Sequence, residues 1–155
     1  GPTGPTGIGV TGTAGATGAA GATGAAGATG ATGPSTGSLN FIIDGGGSAV
    51  TTGVKGDIEI PFALTLTGWT MLADNTGGIK VDLWVDDLAS FPPTDADSIT
   101  NSHEPEIGAT GTYATDPDST NWTGEAITAG DVMRVNVDSA ATLTRATLSL
   151  RYTRT

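Results

Sequence analysis

Residues 9–33 read GVTGTAGATGAAGATGAAGATGATG, with glycine at every third position. Only a helix of three chains demands this period, because one residue per turn faces a crowded axis where no side chain larger than hydrogen fits. A flexible glycine-rich linker is the alternative, but linkers do not keep a period of three over nine triplets. The repeat therefore predicts a triple helix of three identical chains. Its axial glycines are Gly9, Gly12, Gly15, Gly18, Gly21, Gly24, Gly27, Gly30 and Gly33.

The repeat also covers the first residues of the chain, with an interruption at 7–9 where the phase slips by one residue. Proline is scarce in it, and no charged residue precedes residue 38. Few φ angles are therefore pre-set, and no interchain ion pairs can form. We expect a weak collagen-like stalk over residues 1–35, held in register by the C-terminal part of the chain, since a fixed end raises the effective concentration of the strands.

After a short linker at 36–38, residues 39–155 change to runs in which apolar and polar residues alternate. Such runs occupy residues 57–67, 79–85, 132–137 and 145–152, and turn-forming residues separate them. Each run reads as a half-buried strand, and no stretch has a helical period. The pattern predicts seven to nine antiparallel strands in a two-sheet β-sandwich of the jelly-roll type, with three such heads packed around a common three-fold axis.

The charge of the chain lies entirely in the head. All 16 Asp and Glu and all six Lys and Arg follow residue 38, so the net charge of −10 belongs there. Such a field repels phosphates and anionic lipids, which argues against a nucleic-acid partner and against membrane insertion. The chain has no cysteine, no long apolar run and no basic-then-apolar leader. It opens in mid-repeat at Gly1, from which we expect an anchoring region upstream.

Two parts of the chain resemble known families. The Gly-Pro-Thr triplets at 1–6 are similar to those of collagen-like surface proteins of bacteria and phages, including the spore-surface glycoproteins of bacilli. The head resembles a module found at the ends of phage tail and fibre proteins. The stretches that carry this resemblance are FIIDGGG at 41–47, GDIEIPF at 56–62, VDLW at 81–84, FPPT at 91–94 and AITAGD at 126–131.

The resemblance implies a fibre or spike of a virion, on its tail or its head, which the predicted triple helix makes a homotrimer. Such a fibre would join other virion proteins through its upstream region and attach to a host surface, for which a glycan is the expected ligand. The alternative is a purely structural filament, on a phage head or on a bacterial cell or spore surface, whose head only clamps the trimer. The resemblance supplies no catalytic residues.

The residues themselves do not indicate a reaction. His103 is the only histidine, no serine motif is present, and scattered carboxylates form chance pairs too easily to indicate acid–base chemistry. We therefore expect no enzyme and no cofactor, with glycan cleavage as the alternative. Acidic clusters at 82–87, 95–97 and 116–118 offer oxygen ligands for calcium, but none has the spacing of a calcium loop. No metal site is predicted.

The candidate ligand-binding residues are Trp84, Asp82, Asp86 and Tyr113. If the apolar residues of 79–85 face the core, Trp84 faces outward between the two carboxylates. An indole can stack on a sugar ring while acids accept hydrogen bonds from its hydroxyls. Tyr113 is expected at a loop tip. The alternative is that Trp84 packs against a neighbouring subunit.

Overall fold

The computed structural model describes residues 1–28, 30, 33 and 35–155. These residues divide into two compact units, Gly1–Thr32 and Gly33–Thr155. In the first unit the described residues have no regular secondary structure, and all of them are exposed. The strands and helices of the described residues belong to the second unit.

The described part of the second unit contains nine strands and two 3-10 helices. The strands are β1 (Thr36–Asp44), β2 (Gly53–Glu59), β3 (Leu64–Ala73), β4 (Ile79–Asp87), β5 (Glu106–Ile107), β6 (Tyr113–Asp116), β7 (Ala126–Ile127), β8 (Asp131–Ala140) and β9 (Arg145–Arg154). The 3-10 helices are Leu88–Ser90 and Asp95–Asp97. The prediction of an all-β head built from antiparallel strands is confirmed.

The strands form two antiparallel sheets. Sheet A has the order β1-β9-β3-β6, with β7 also paired to β3, and sheet B has the order β2-β8-β4-β5. One buried apolar cluster takes side chains from both sheets, such as Leu148 and Leu150 of β9 and Met133 and Val135 of β8. Burying each such side chain stabilises the fold by about 1.5–3 kcal/mol. The core therefore lies between the two sheets, as in a β-sandwich.

The alternation of apolar residues correctly predicts the inner faces of β4, β8 and β9, but it is wrong about 57–67 as a single strand. The chain leaves sheet B after Glu59 and joins sheet A at Leu64. Pro61 lies in this crossing, and because it has no N–H it cannot donate to a sheet ladder. Apolar and polar residues still alternate across this crossing, because both sheets face the same core. Leu64 is buried in it from sheet A, and Ile58 packs against it from sheet B.

The predicted linker at 36–38 is instead the beginning of β1. Gly37 pairs with Tyr152 of β9, and its neighbours Thr36 and Ser38 are also in register with that strand. A Cβ atom at Gly37 would lie 2.6 Å from the Tyr152 hydroxyl oxygen. Glycine is therefore required here so that the aromatic ring can pack over the strand.

Gly68 allows an irregularity in the middle of sheet A. The register of β3 with β9 shifts between Leu66 and Gly68, where φ is +146°. A Cβ atom at this position would lie 2.5 Å from the carbonyl oxygen of Asp116. The guanidinium of Arg151 donates to that same carbonyl and, at 2.8 Å, to the Thr70 hydroxyl. The glycine thus lets the loop after β6 approach sheet A closely.

We predict that Gly68→Ala lowers the free energy of unfolding of the head by about 2–4 kcal/mol, through backbone strain and displacement of the Asp116 carbonyl. Gly130→Ala is the matched control, because its φ of +95° is also unfavourable but its Cβ would meet nothing within 4 Å. It should cost about 1–2 kcal/mol. Urea unfolding followed by tryptophan fluorescence measures both, and equal losses would contradict the role given to the close approach.

Candidate functional site

The outer face of sheet B contains a buried carboxylate. Asp82 of β4 is only 4% exposed. Its Oδ1 accepts hydrogen bonds from the Ser98 hydroxyl at 2.8 Å, the Thr100 hydroxyl at 2.7 Å and the backbone N–H of Leu83 at 2.7 Å. Its Oδ2 accepts one from the indole N–H of Trp84 at 2.7 Å. Four donors inside the chain therefore satisfy this carboxylate, as burial of a charge requires.

The segment 88–100 buries Asp82 because local caps fold it back onto β4. Asp87 accepts from the backbone N–H of Ser90 at 2.7 Å, which caps the first 3-10 helix. Thr94 and Asp97 form a capping box around the second. The segment then pairs with β4 through a bridge between Ser98 and Trp84. Serine and threonine hydroxyls are thereby placed over the carboxylate.

The predicted sugar-binding residues do not form one site. Trp84 is half-buried, and Asp86 accepts from its own neighbour, the backbone N–H of Asp87, at 2.8 Å. Tyr113 is 68% exposed but belongs to β6 of sheet A. Because the acceptors of Asp82 are occupied within the fold, this geometry does not support its predicted role toward sugar hydroxyls. Asp82 instead accepts a hydrogen bond from the indole N–H of Trp84.

Next to Trp84 lies a group of residues that the sequence did not single out. Arg134 of β8 is directly opposite Trp84 in the sheet. Its guanidinium donates two hydrogen bonds to the carboxylate of Asp57, at 2.6 and 3.0 Å. A third donor of its guanidinium reaches the carbonyl oxygen of Pro93 at 3.2 Å. Its central carbon lies 5.4 Å from the centre of the Phe91 ring, in cation–π geometry.

We call Trp84, Phe91, Arg134 and Asp57 the outer patch. Phe91 is 49% exposed, so part of an aromatic ring is open to solvent beside a guanidinium held in place by a carboxylate. The hydrogen bonds from Arg134 to Asp57 raise the pKa of the guanidinium. These four residues contain no nucleophile with a partner base, so the chemistry they offer is stacking and polar binding.

His103 makes hydrogen bonds to residues of the surrounding loops. Its ring Nδ1 lies 2.9 Å from the carbonyl oxygen of Asn101, and its own carbonyl accepts from the Trp122 indole at 2.9 Å. Trp122 is buried, at 5% exposure. These contacts hold the loop at residues 101–103 against the loop that contains Trp122.

The carboxylates of the acidic cluster at 116–118 accept hydrogen bonds from backbone N–H groups within a turn. Asp116 accepts from the backbone N–H of Asp118 at 3.0 Å, and Asp118 accepts from that of Thr120 at 2.8 Å. Within residues 1–28, 30, 33 and 35–155, no group of three or more His, Cys, Asp or Glu side chains is placed to hold a metal ion.

A second charged group lies beside Asp82 on the same face. Lys80 forms an ion pair with Glu104 at 3.0 Å, and this contact raises the pKa of the lysine. Burial raises the pKa of Asp138, against the hydrogen bond that Asn136 donates to it at 2.7 Å. The outer face of sheet B is therefore rich in charge.

A shallow cleft of about 260 Å³ lies between β3 and the loop 118–125. Ser119, in its wall, donates its hydroxyl to the carbonyl oxygen of Leu66 at 2.7 Å, so this hydroxyl is engaged in the fold. Asp118 and Glu125 also line the cleft. It offers two carboxylates but no aromatic ring for a sugar to stack on.

Comparison of the chain with protein-family models, curated proteins and solved structures gives no match in any of the three. Among the described residues, no helix combines the length and the apolar character that crossing a bilayer requires. The assignment of a function therefore depends on the sequence and on the geometry of the head.

We predict that Asp82→Ala lowers the free energy of unfolding by about 3–5 kcal/mol, because it leaves the donors around this carboxylate unpaired in a buried place. Asp86→Ala is the control on the same strand. It removes a single hydrogen bond to a backbone N–H, and should cost less than about 1 kcal/mol. Urea unfolding measures both values. A loss at Asp82 no larger than the loss at Asp86 would show that the network does not stabilise the head.

Proposed function

We propose that this chain is one strand of a homotrimeric, non-enzymatic surface fibre, with a collagen-like triple helix over residues 1–35 and a β-sandwich head. One observation carries the proposal. A Cβ atom at any glycine from Gly1 to Gly33 would meet no described atom within 4 Å, and none of these glycines has a left-handed φ. Neither packing within the chain nor backbone conformation accounts for the strict period, whereas crowding by two further chains does.

The head is the clamp of the proposed trimer. The stalk has little proline and no charge, so three strands need to be held in register by something else. Strands β1 and β3 belong to sheet A and β2 and β4 to sheet B, so the chain alternates between the sheets as in a jelly roll. This order supports the finer assignment of the head to that architecture.

We further infer that the head is presented for attachment to a host surface, with a glycan as ligand, in a tail or head fibre of a virion. The resemblance of the sequence to phage fibre modules supports the location. The outer patch supports attachment, since Phe91 presents an aromatic face beside fixed polar groups. A purely structural or decorative role is the second candidate, and the internal hydrogen bond between Asp82 and Trp84 favours it.

The proposed trimer predicts the mass of the protein in solution. Light scattering of the intact chain should give three times 15.2 kDa, and circular dichroism should show a stalk transition at lower temperature than the head. Gly21→Ala should lower the stalk transition because it places a methyl group on the crowded axis, and it should leave the head unchanged. Thr23→Ala is the control outside the axis. A mass of a single chain would overturn the proposed trimer.

Attachment is tested separately on a glycan array with the intact chain. We expect binding that Phe91→Ala reduces by about tenfold, the loss of one stacking contact of about 1.4 kcal/mol. Leu88→Ala is the control, since Leu88 is 57% exposed and lies outside the outer patch. Absence of binding across the array would contradict attachment to glycans and leave the structural role.

A further inference from the structure

The outer face of sheet A carries a row of exposed apolar side chains. Ile42 of β1 and Leu72 of β3 are both opposite Thr147 of β9, and Tyr113 of β6 is opposite Leu72. With Thr147, which is polar and half-buried, these three side chains form a row across four neighbouring strands. Ile42 is 70% exposed, Leu72 54% and Tyr113 68%. We call Ile42, Thr147, Leu72 and Tyr113 the apolar row.

The adjacent row on the same face is polar but uncharged. Asn40, Ser149, Thr70 and Thr115 are in register across the same four strands. The hydroxyls of Thr70 and Thr115 are 2.9 Å apart and hydrogen-bonded to each other. The two rows themselves contain no charged residue, on a head whose net charge is −10. They are bordered on one side by the Arg151 guanidinium, which donates to Thr70, and on the other by the register pair of Asp44 with Arg145.

The outer face of sheet B is charged. Its outward and exposed residues include four carboxylates, those of Asp57, Glu59, Glu106 and Asp138. When heads of like charge are brought together, the electrostatic repulsion is smaller if the two uncharged rows of sheet A meet than if the carboxylates of sheet B do. Exposed aromatic and aliphatic side chains next to uncharged polar ones also have the composition of an interface.

We propose that the apolar row and the adjacent polar row form the contact between heads, where three copies of this chain converge on a common three-fold axis. The proposal rests on the trimeric fibre proposed above. The glycine period sets the number of copies at three. In a closed ring of three the contact is heterologous, so one part of this surface on each head meets a different part of it on the next head.

The connection to the repeat points to the same sheet. β1 begins at Thr36, three residues after the last glycine of the repeat, Gly33. Three residues of chain span at most about 10 Å. Chains wound together up to Gly33 therefore begin their first strands of sheet A near one another. Ile42 lies on that first strand, and Tyr113 on the far edge strand of the same sheet.

This assignment separates the candidate ligand residues into two groups. Tyr113 belongs to the contact between heads and is not available to a ligand. The outer patch lies on the other sheet and remains free in the assembled trimer. Attachment and assembly thus use opposite faces of the head.

The test uses the intact chain, held just above the temperature at which circular dichroism shows the stalk to have melted, so that the heads alone maintain the trimer. Leu72→Asp should raise the concentration for half-dissociation by at least about a hundredfold, because it places an unpaired carboxylate in a contact made three times. Leu88→Asp is the matched control. Leu88 is 57% exposed, close to the 54% of Leu72, but lies outside this face. Sedimentation equilibrium measures the mass.

The outcomes distinguish this inference from the proposed function. Dissociation by Leu72→Asp with Leu88→Asp unchanged supports the contact. A trimer that persists in Leu72→Asp overturns the contact but leaves the trimeric fibre. A wild-type chain that dissociates when the stalk melts overturns the contact and the role of the head as clamp, but leaves a fibre trimerised by its stalk. A wild-type chain that is a monomer at every temperature overturns the proposed function and with it the contact.

A second measurement needs no substitution. Hydroxyl-radical footprinting of the wild-type trimer compares two aromatic side chains that are exposed in the single chain, Tyr113 and Phe91. Tyr113 should be oxidised at least about fivefold more slowly than in the dissociated chain, because burial in an interface removes it from solvent. Phe91 should be unaffected by assembly. Equal oxidation of Tyr113 in both states would overturn the contact, even if Leu72→Asp failed to fold.

Discussion

The contact between the inner faces of the two sheets is the interaction on which the rest of the head depends. Two-stranded pairs are marginal in water, and each sheet gains stability only by burying its apolar face. Met133 and Leu148 are fully buried from opposite sheets. Because stability comes from the inner faces, the outer faces are free to differ in composition. The outer face of sheet A carries two uncharged rows and that of sheet B carries exposed carboxylates, so the proposed assembly and the proposed attachment would use separate surfaces.

The acidic charge of the head comes in part from the way its turns are built. Asp44 accepts from the backbone N–H of Gly46 at 2.6 Å, and Asp131 accepts from that of Thr128 at 2.9 Å. Asp74 accepts from Thr144, and the hydroxyl of Thr144 lowers the pKa of Asp74. Aspartate is favoured in turns because its side chain binds nearby backbone N–H groups. Part of the acidic charge of the head is therefore explained by its many turns and requires no ligand-binding site.

The sequence predicted those features that depend on neighbouring residues. A period of two fixes which side chains of β4, β8 and β9 face the core, so their burial was predictable. The sheet that a strand joins is decided by distant pairing, and 57–67 was therefore misread as one strand. Asp82 is buried by partners up to 18 residues away, and Arg134 meets Asp57 across 77 residues. No local pattern contains such contacts, which is why the sequence indicates Trp84 but not its neighbours Arg134, Asp57 and Phe91 as one group.

The pairing of β1 with β9 has a mechanical consequence. The two strands are antiparallel neighbours joined through nine register pairs, from Thr36 with Thr153 to Asp44 with Arg145. A pull along β1 from its N-terminal end loads these pairs in shear, so that they must break together and not one after another. In the proposed fibre, tension arriving from the stalk would meet this resistance first. The head would then act as a tether that bears load.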